Sequence, residues 1–218
     1  MFDRLAESGY LEVFQGKRIL EVGPKHGHDS RRLAELAPAE LVLLELPEKR
    51  ELVRGWLPDV EARAAVRYVE GNLLYLSPAE RGELGSFDLV WCLGVLYHNA
   101  EQLRLVKRLF DATAVGGALV LESATSRDPA LADLRVVEIH WPEPYRGVQT
   151  ITHLPTRLAI ACWLEMAGFV DVEQRDVYGK ELAWQRAVFI ARRMPESRSY
   201  STHTVSGRNP EYVVGDAP

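Results

Sequence analysis

Apolar positions along the chain fall into two alternating rhythms. KRILEVG (17–23), ELVLLEL (40–46), AVRYVEG (65–71), SFDLVWCLG (86–94) and GGALVLESA (116–124) are short and rich in apolar residues, and read as strands buried on both faces. Between them, apolar residues recur three and four apart, which marks helices with one buried face. HDSRRLAELA (28–37) carries Leu33, Ala34, Leu36 and Ala37. PEKRELVRGWLPDV begins at Pro47 or Glu48 and sets Leu52, Val53, Trp56 and Leu57 on one face. AEQLRLVKRLFDAT (100–113) turns Leu103, Val106, Leu109 and Phe110 inward. This alternation predicts a mostly parallel sheet with right-handed crossovers, a doubly wound three-layer α/β fold. Ligands in such sheets bind at the carboxyl ends of the strands, where the strand order reverses.

The rhythm breaks over 125–153, which holds Pro129, Pro142, Pro144 and Gly147 beside His140, Trp141, Tyr145 and His153. A long irregular segment inside a domain predicts a lid or binding loop. PTRLAIACWLEMAGF (155–169) then reads as a helix ending at Gly168. FVDVEQRDVYG and AWQRAVFIARR read as an antiparallel C-terminal hairpin. The expected layout is one domain over 1–193 and a tail over 194–218, extended and docked through Tyr200, Tyr212, Val213 and Val214.

Charge narrows the partners. The 26 Lys and Arg against 31 Asp and Glu leave a net charge of −5, which gives no general attraction to nucleic-acid phosphates. Arg104, Lys107 and Arg108 on one helix, with Arg192 and Arg193, still keep an RNA partner open. Cys92 and Cys162 match no metal spacing and read as reduced core thiols, which suits the cytoplasm. His26 and His28 lack acidic partners, so no metal is expected. The N-terminus does not read as a signal peptide, and no apolar run suits a membrane span.

The strand ends carry the candidate chemistry. Gly23 closes the first strand and Gly27 opens the next helix, so backbone there can approach a ligand closely. Glu45 ends the second strand, where a carboxylate accepts two hydrogen bonds from a ribose diol. Asn72, with Leu73, follows the third strand and offers both donor and acceptor to an adenine edge. CLGVLYH follows the fourth. Each feature alone is as well explained by a turn, a cap or a buried strand end; their joint order points to a nucleotide-type ligand. Lys25 stands where a dinucleotide fingerprint needs its middle glycine, and no Gly-Lys-Ser/Thr phosphate loop follows. Adenosine without phosphates fits best.

ILEVGPKHG, Glu45, EGNLL, FDLVWCLGVLYH, GGALVLES and WLEMAGFVDVE together resemble class I S-adenosylmethionine-dependent methyltransferases, over roughly Phe14 to Arg193. GVLYH with PTRLAIACWLEMAGF is similar to the core of the tRNA wobble-uridine carboxymethyltransferase family and its small relatives. The resemblance implies a Rossmann-like fold and S-adenosyl-L-methionine, or a derivative of it, as the donor. It implies Glu21 and Gly23 near the methionine end, with Glu45 on the ribose and Leu46 against the adenine. Asn72 and Leu73 would hold the adenine, Leu93 and Gly94 would line the site, and Tyr97 and His98 would face the methyl group or the acceptor.

A hydroxyl acceptor needs a base, and a histidine suits neutral pH. His98 and His140 are the catalytic candidates. Tyr97, Trp141, Tyr145, His153 and Arg157 are expected to enclose the substrate. The main expectation is methylation of a small molecule, with oxygen the favoured acceptor. The alternatives are a tRNA-modifying (carboxy)methyltransferase and a non-catalytic cofactor-binding scaffold. Oligomeric state, including a homodimer, stays open.

Overall fold

The computed structural model of the protein describes residues 2–7, 9–178 and 185–199. Five parallel strands, β1 (Arg18–Val22), β2 (Glu40–Glu45), β3 (Val66–Glu70), β4 (Phe87–Leu93) and β5 (Thr113–Thr125), lie in the order β3-β2-β1-β4-β5. The insertion contributes its own antiparallel ribbon, β6 (Val137–Ile139) with β7 (His153–Pro155). The last two strands, β8 (Val170–Tyr178) and β9 (Gln185–Arg192), extend the sheet antiparallel along β5 and complete seven strands, β3-β2-β1-β4-β5-β9-β8.

The strand order reverses between β1 and β4. There Val22 lies opposite Leu44 on one side and Cys92 on the other, so β1, β2 and β4 end at the same edge. Consecutive residues of each strand serve opposite cores. Ile19, Leu41 and Leu43 pack with Trp91, Val53 and Trp56. Leu20, Val42 and Leu44 pack with Val106, Leu109 and Ile160. This two-sided burial explains why the strands read as apolar runs rather than alternating ones.

Seven helices cover the sheet among the described residues: α1 (Phe2–Glu7), α2 (His28–Ala34), α3 (Arg50–Arg54), α4 (Leu57–Glu61), α5 (Pro78–Leu84), α6 (Gln102–Ala112) and α7 (Arg157–Ala167). None is long and apolar enough to cross a membrane.

Several expected bounds are corrected. α2 stops at Ala34 rather than 37; Ala37 takes a positive φ of 48° ahead of Pro38, whose ring disfavours helix in the residue before it. The helix expected from Pro47 is a 3₁₀ turn followed by α3 and α4, separated at Gly55–Trp56. Pro58 has no N–H to continue the ladder. Leu52, expected inward, is exposed, while Val53 and Trp56 are buried. Leu103 is half-buried and Leu105 takes the core position. Cys92 is a buried free thiol, but Cys162 is only half-buried. Residues 200–218, and with them the expected docking of Tyr200, Tyr212, Val213 and Val214, lie outside the described residues.

Candidate functional site

At the end of β1 the chain makes a left-handed turn, with Gly23 at φ 76°, Lys25 at 47° and Gly27 at 69°. Lys25, a non-glycine, is held in that strained region by two bonds. Its N–H donates to Glu45 Oε2 at 2.8 Å, and its carbonyl accepts from Trp56 Nε1 at 2.9 Å. The other Glu45 oxygen accepts from the Leu46 N–H at 2.7 Å. Thus Glu45, at the end of β2, fixes the turn at the end of β1. Gly27 is required by packing as well as by φ, because a Cβ there would sit 2.4 Å from the Trp56 ring. Gly27→Ala should therefore cost about 2–4 kcal/mol, the sum of overpacking and a left-handed alanine. Urea unfolding of the variant measures it.

Below this turn Glu21 is buried, and its Oε2 accepts from the Ser30 hydroxyl at 2.6 Å. Burial pushes its pKa up to about 8; the Ser30 bond opposes this, and the negative charges of Asp29 and Glu45 add to it. At the end of β3 the Asn72 Oδ1 accepts from the Leu74 N–H at 3.0 Å, so its acceptor serves the local turn. Leu73 is buried in the core. Leu46, Leu93 and Gly94 are half-buried.

The end of β4 rests on a cluster that the strand pattern did not reveal. The Gly94 N–H donates to the Glu122 carbonyl at 3.1 Å. The buried Glu122 carboxylate pairs with both Nε and Nη2 of Arg186, the latter at 2.9 Å, and accepts from Tyr178 Oη at 3.2 Å. Arg186 Nη2 also donates to Tyr97 Oη at 3.1 Å, and the guanidinium lies 5.0 Å from the Tyr97 ring centroid. Burial works against the arginine's charge, but Glu122 outweighs it and holds the Arg186 pKa above its ordinary value. Burial, then the Glu122 charge, pushes the Tyr178 phenol up to about 12.

His98 follows, its ring 4.2 Å from that of Tyr97 and its Nδ1 2.7 Å from Thr150 Oγ1. Desolvation first, then the charge of Lys25 and that of Arg186, hold its pKa below the usual histidine value; the bond to Thr150 opposes them.

The insertion closes over this strand end. Ile151 and Leu154 pack with Tyr97 and Ala124 in a small core of their own, with Tyr145 and Val148 against it. His140 is held elsewhere in the insertion: its Nε2 is 3.1 Å from Glu138 Oε2, and its ring meets Tyr145 edge-on at 4.8 Å. The other Glu138 oxygen accepts from the Ser126 hydroxyl. Trp141 is 78% exposed, beside the cis peptide to Pro142. His153 lines a cavity of about 310 Å³ with Gln102, Leu103, Arg104, Val137 and Trp163, away from the ends of β1 and β2. Arg157 lines a second cavity beyond β5.

Glu21, Gly23, Gly27, Glu45, Tyr97 and His98 thus gather at one edge of the sheet, and His140, Trp141, Tyr145, His153 and Arg157 are spread over the insertion and α7. Sequence reasoning missed Ser30, Trp56, Glu122, Thr150, Tyr178 and Arg186. Glu122 alone left a trace, as a lone carboxylate inside an apolar strand, where a buried charge needs a partner. These residues fit an adenosyl sulfonium ligand. Glu45 uses one hydrogen bond on each oxygen, and a carboxylate has about four lone-pair sites, so acceptors remain for a ribose diol. Glu21 is a buried acid with no cation bonded to it among the described residues.

A family model described as "Methyltransferase domain" matches residues 2–174. The tRNA U34 carboxymethyltransferase of Chromohalobacter salexigens is 30% identical over 184 residues, 82% of this chain and 52% of that protein. The tRNA U34 carboxymethyltransferase of Vibrio cholerae is 31% identical over 193 residues, 85% and 54% of the two chains. The chain therefore spans about half the length of these curated relatives. Among solved structures, the N-terminal domain of EvdMO1, determined in the presence of SAH and D-fucose, matches with a TM-score of 0.64 and 28% identity, covering 90% of this chain and 82% of that one.

Proposed function

Since the chain belongs to the methyltransferase domain family, we propose that its strand-end cleft transfers the methyl group of S-adenosylmethionine to an oxygen of a small-molecule acceptor. The cofactor, when bound, supplies an electrophilic methyl on a sulfonium. The protein's part is positioning, exclusion of water and removal of one proton. Glu45 holds the ribose, and Glu21 stands by the ammonium of the methionine end. Gly94 leaves room for the Arg186 guanidinium, which stiffens Tyr97 beside it. The insertion, seated on Tyr97 through Ile151 and Leu154, covers the reacting end.

The observation that carries the oxygen acceptor is His98. Its ring lies at the end of β4, is steadied by Thr150 and has a lowered pKa. A base lowered in this way is suited to accept a hydroxyl proton. A lowered base pKa fixes the sign of the pH dependence. The protonated, inactive form gains only below the His98 pKa, which is held below its ordinary value. With tritiated S-adenosylmethionine and an acceptor drawn from hydroxylated acids and sugars, kcat/KM should be flat above pH 7. It should fall about tenfold per pH unit below the His98 pKa. His98→Asn should lose that inflection and roughly 10²–10⁴-fold in rate. An unchanged profile in the variant would remove His98 as the base and leave His140 as the next candidate.

The curated relatives favour a second reading, alkylation of tRNA, and their names weigh toward it more than toward a small molecule. The net charge of −5 and the small insertion core over Tyr97 favour the first. Transfer of label to bulk tRNA, with binding that weakens steeply with salt, would establish the second reading. Label confined to a small hydroxylated compound would establish the first.

A further inference from the structure

Beyond the end of β5, between the insertion and α7, lies a cavity of about 210 Å³ lined by Ser126, Arg127, Asp128, Thr156, Arg157 and Gln185 among others. Most of its polar groups are already engaged. Ser126 Oγ donates to Glu138 and accepts from the Asp128 N–H at 3.2 Å. Thr156 Oγ1 donates to the Leu134 carbonyl at 2.6 Å and accepts from the Ala159 N–H at 3.1 Å. Asp128 Oδ1 accepts from the Ala130 N–H at 2.8 Å. The Gln185 carbonyl faces the Thr125 hydroxyl at 3.5 Å, which leaves its NH₂ as a donor.

Arg157 is different. It is half-buried, and no hydrogen bond or ion pair joins it to another described residue. It stands in the first turn of α7, where the helix dipole disfavours a cation, so the helix itself gives no reason for an arginine there. Arg157 thus brings an unpaired cation to the lining. Guanidinium presents a fork of donors matched to carboxylate and phosphate. The cavity is smaller than a typical small-molecule site of roughly 300–1,000 Å³, and so suits one anionic group rather than a whole acceptor.

We propose that this cavity, through Arg157, anchors an oxyanion, carboxylate or phosphate, of the methyl acceptor. The proposal rests on the small-molecule reading above and deepens it. β5 runs parallel to β4, so Ser126, just past the end of β5, lies at the same edge of the sheet as Tyr97 and His98. Ser126 lies four residues past Glu122, which at strand spacing is about 13 Å. The acceptor is then a small hydroxylated acid.

Calorimetric titration of the full chain, with and without S-adenosylhomocysteine, tests this. The probes are caffeate against its methyl ester, glucose 6-phosphate against glucose, and inorganic phosphate alone. At least one anionic probe should bind while its neutral counterpart does not. Arg157→Gln should weaken that binding tenfold or more, and Arg157→Lys should restore part of it. Preference for caffeate or for glucose 6-phosphate identifies the oxyanion as carboxylate or phosphate. Equal binding of charged and neutral probes, indifference to Arg157→Gln, or no binding of either anionic probe would overturn the proposal. So would inorganic phosphate binding as tightly as the organic probes, which would mean an adventitious ion only. Failure of the methyltransferase reading shows separately, as loss of S-adenosylhomocysteine binding by the wild-type chain.

Discussion

Glu45→Ala should weaken S-adenosylmethionine binding by roughly 100-fold or more, because two charge-assisted hydrogen bonds are worth about 3–6 kcal/mol together. The same change also removes the acceptor that holds the Lys25 N–H at 2.8 Å, so the turn at the end of β1 loses its latch. Glu45→Gln separates the two roles. The glutamine keeps one carbonyl acceptor for Lys25, sets its NH₂ against the Leu46 N–H, and loses the charge and half of the acceptors for a diol. It should bind about tenfold or more weaker than wild type and remain folded. Fluorescence titration through Trp56, which touches the turn, reads both variants. Wild-type affinity in Glu45→Ala would place the ribose elsewhere.

Arg186→Ala should produce the largest loss of stability, about 3–5 kcal/mol, because it leaves the Glu122 carboxylate buried without its cation. Side-chain exposure is only 18% for Arg186 and 3% for Glu122, so water cannot replace the lost partner. In a chain of this length such a loss lowers Tm by roughly 10 °C. The double variant Glu122→Leu/Arg186→Met should recover most of it, since an apolar pair of similar volume removes the desolvation cost along with the attraction. The double variant should still be impaired in transfer, because Tyr97 loses the Arg186 bond at 3.1 Å. Denaturant unfolding of wild type, Glu122→Leu, Arg186→Met and the double variant gives the coupling energy. A cost below about 1 kcal/mol for Arg186→Ala would mean that the pair behaves as a solvated one.

The parallel sheet was legible in the sequence because Ile19–Leu20 and Leu41–Val42 each serve two cores, which forces apolar runs. Gly23, Gly27 and Glu45 were legible because the switch point of a doubly wound sheet is a fixed place in the chain. Pro58 and Gly55 divide a helix whose apolar spacing alone looked continuous. α5 was missed, although Ser77 and Glu80 form a capping box ahead of it; seven residues are too few for a periodicity to show. The Glu122–Arg186 pair was hidden because its members are 64 residues apart and no spacing rule links β5 to β9. The insertion could be bounded by its prolines, but its contacts depend on tertiary packing. Thr150 carried no signal, yet it holds His98.

The most direct test of the central claim is calorimetric titration of the full chain with S-adenosylmethionine and with S-adenosylhomocysteine. Both ligands should bind saturably at one site per chain with micromolar affinity, and Glu45→Ala should lose that binding. Absence of heat with either ligand, from a protein shown to be folded, would contradict the assignment of the strand-end cleft as the cofactor site.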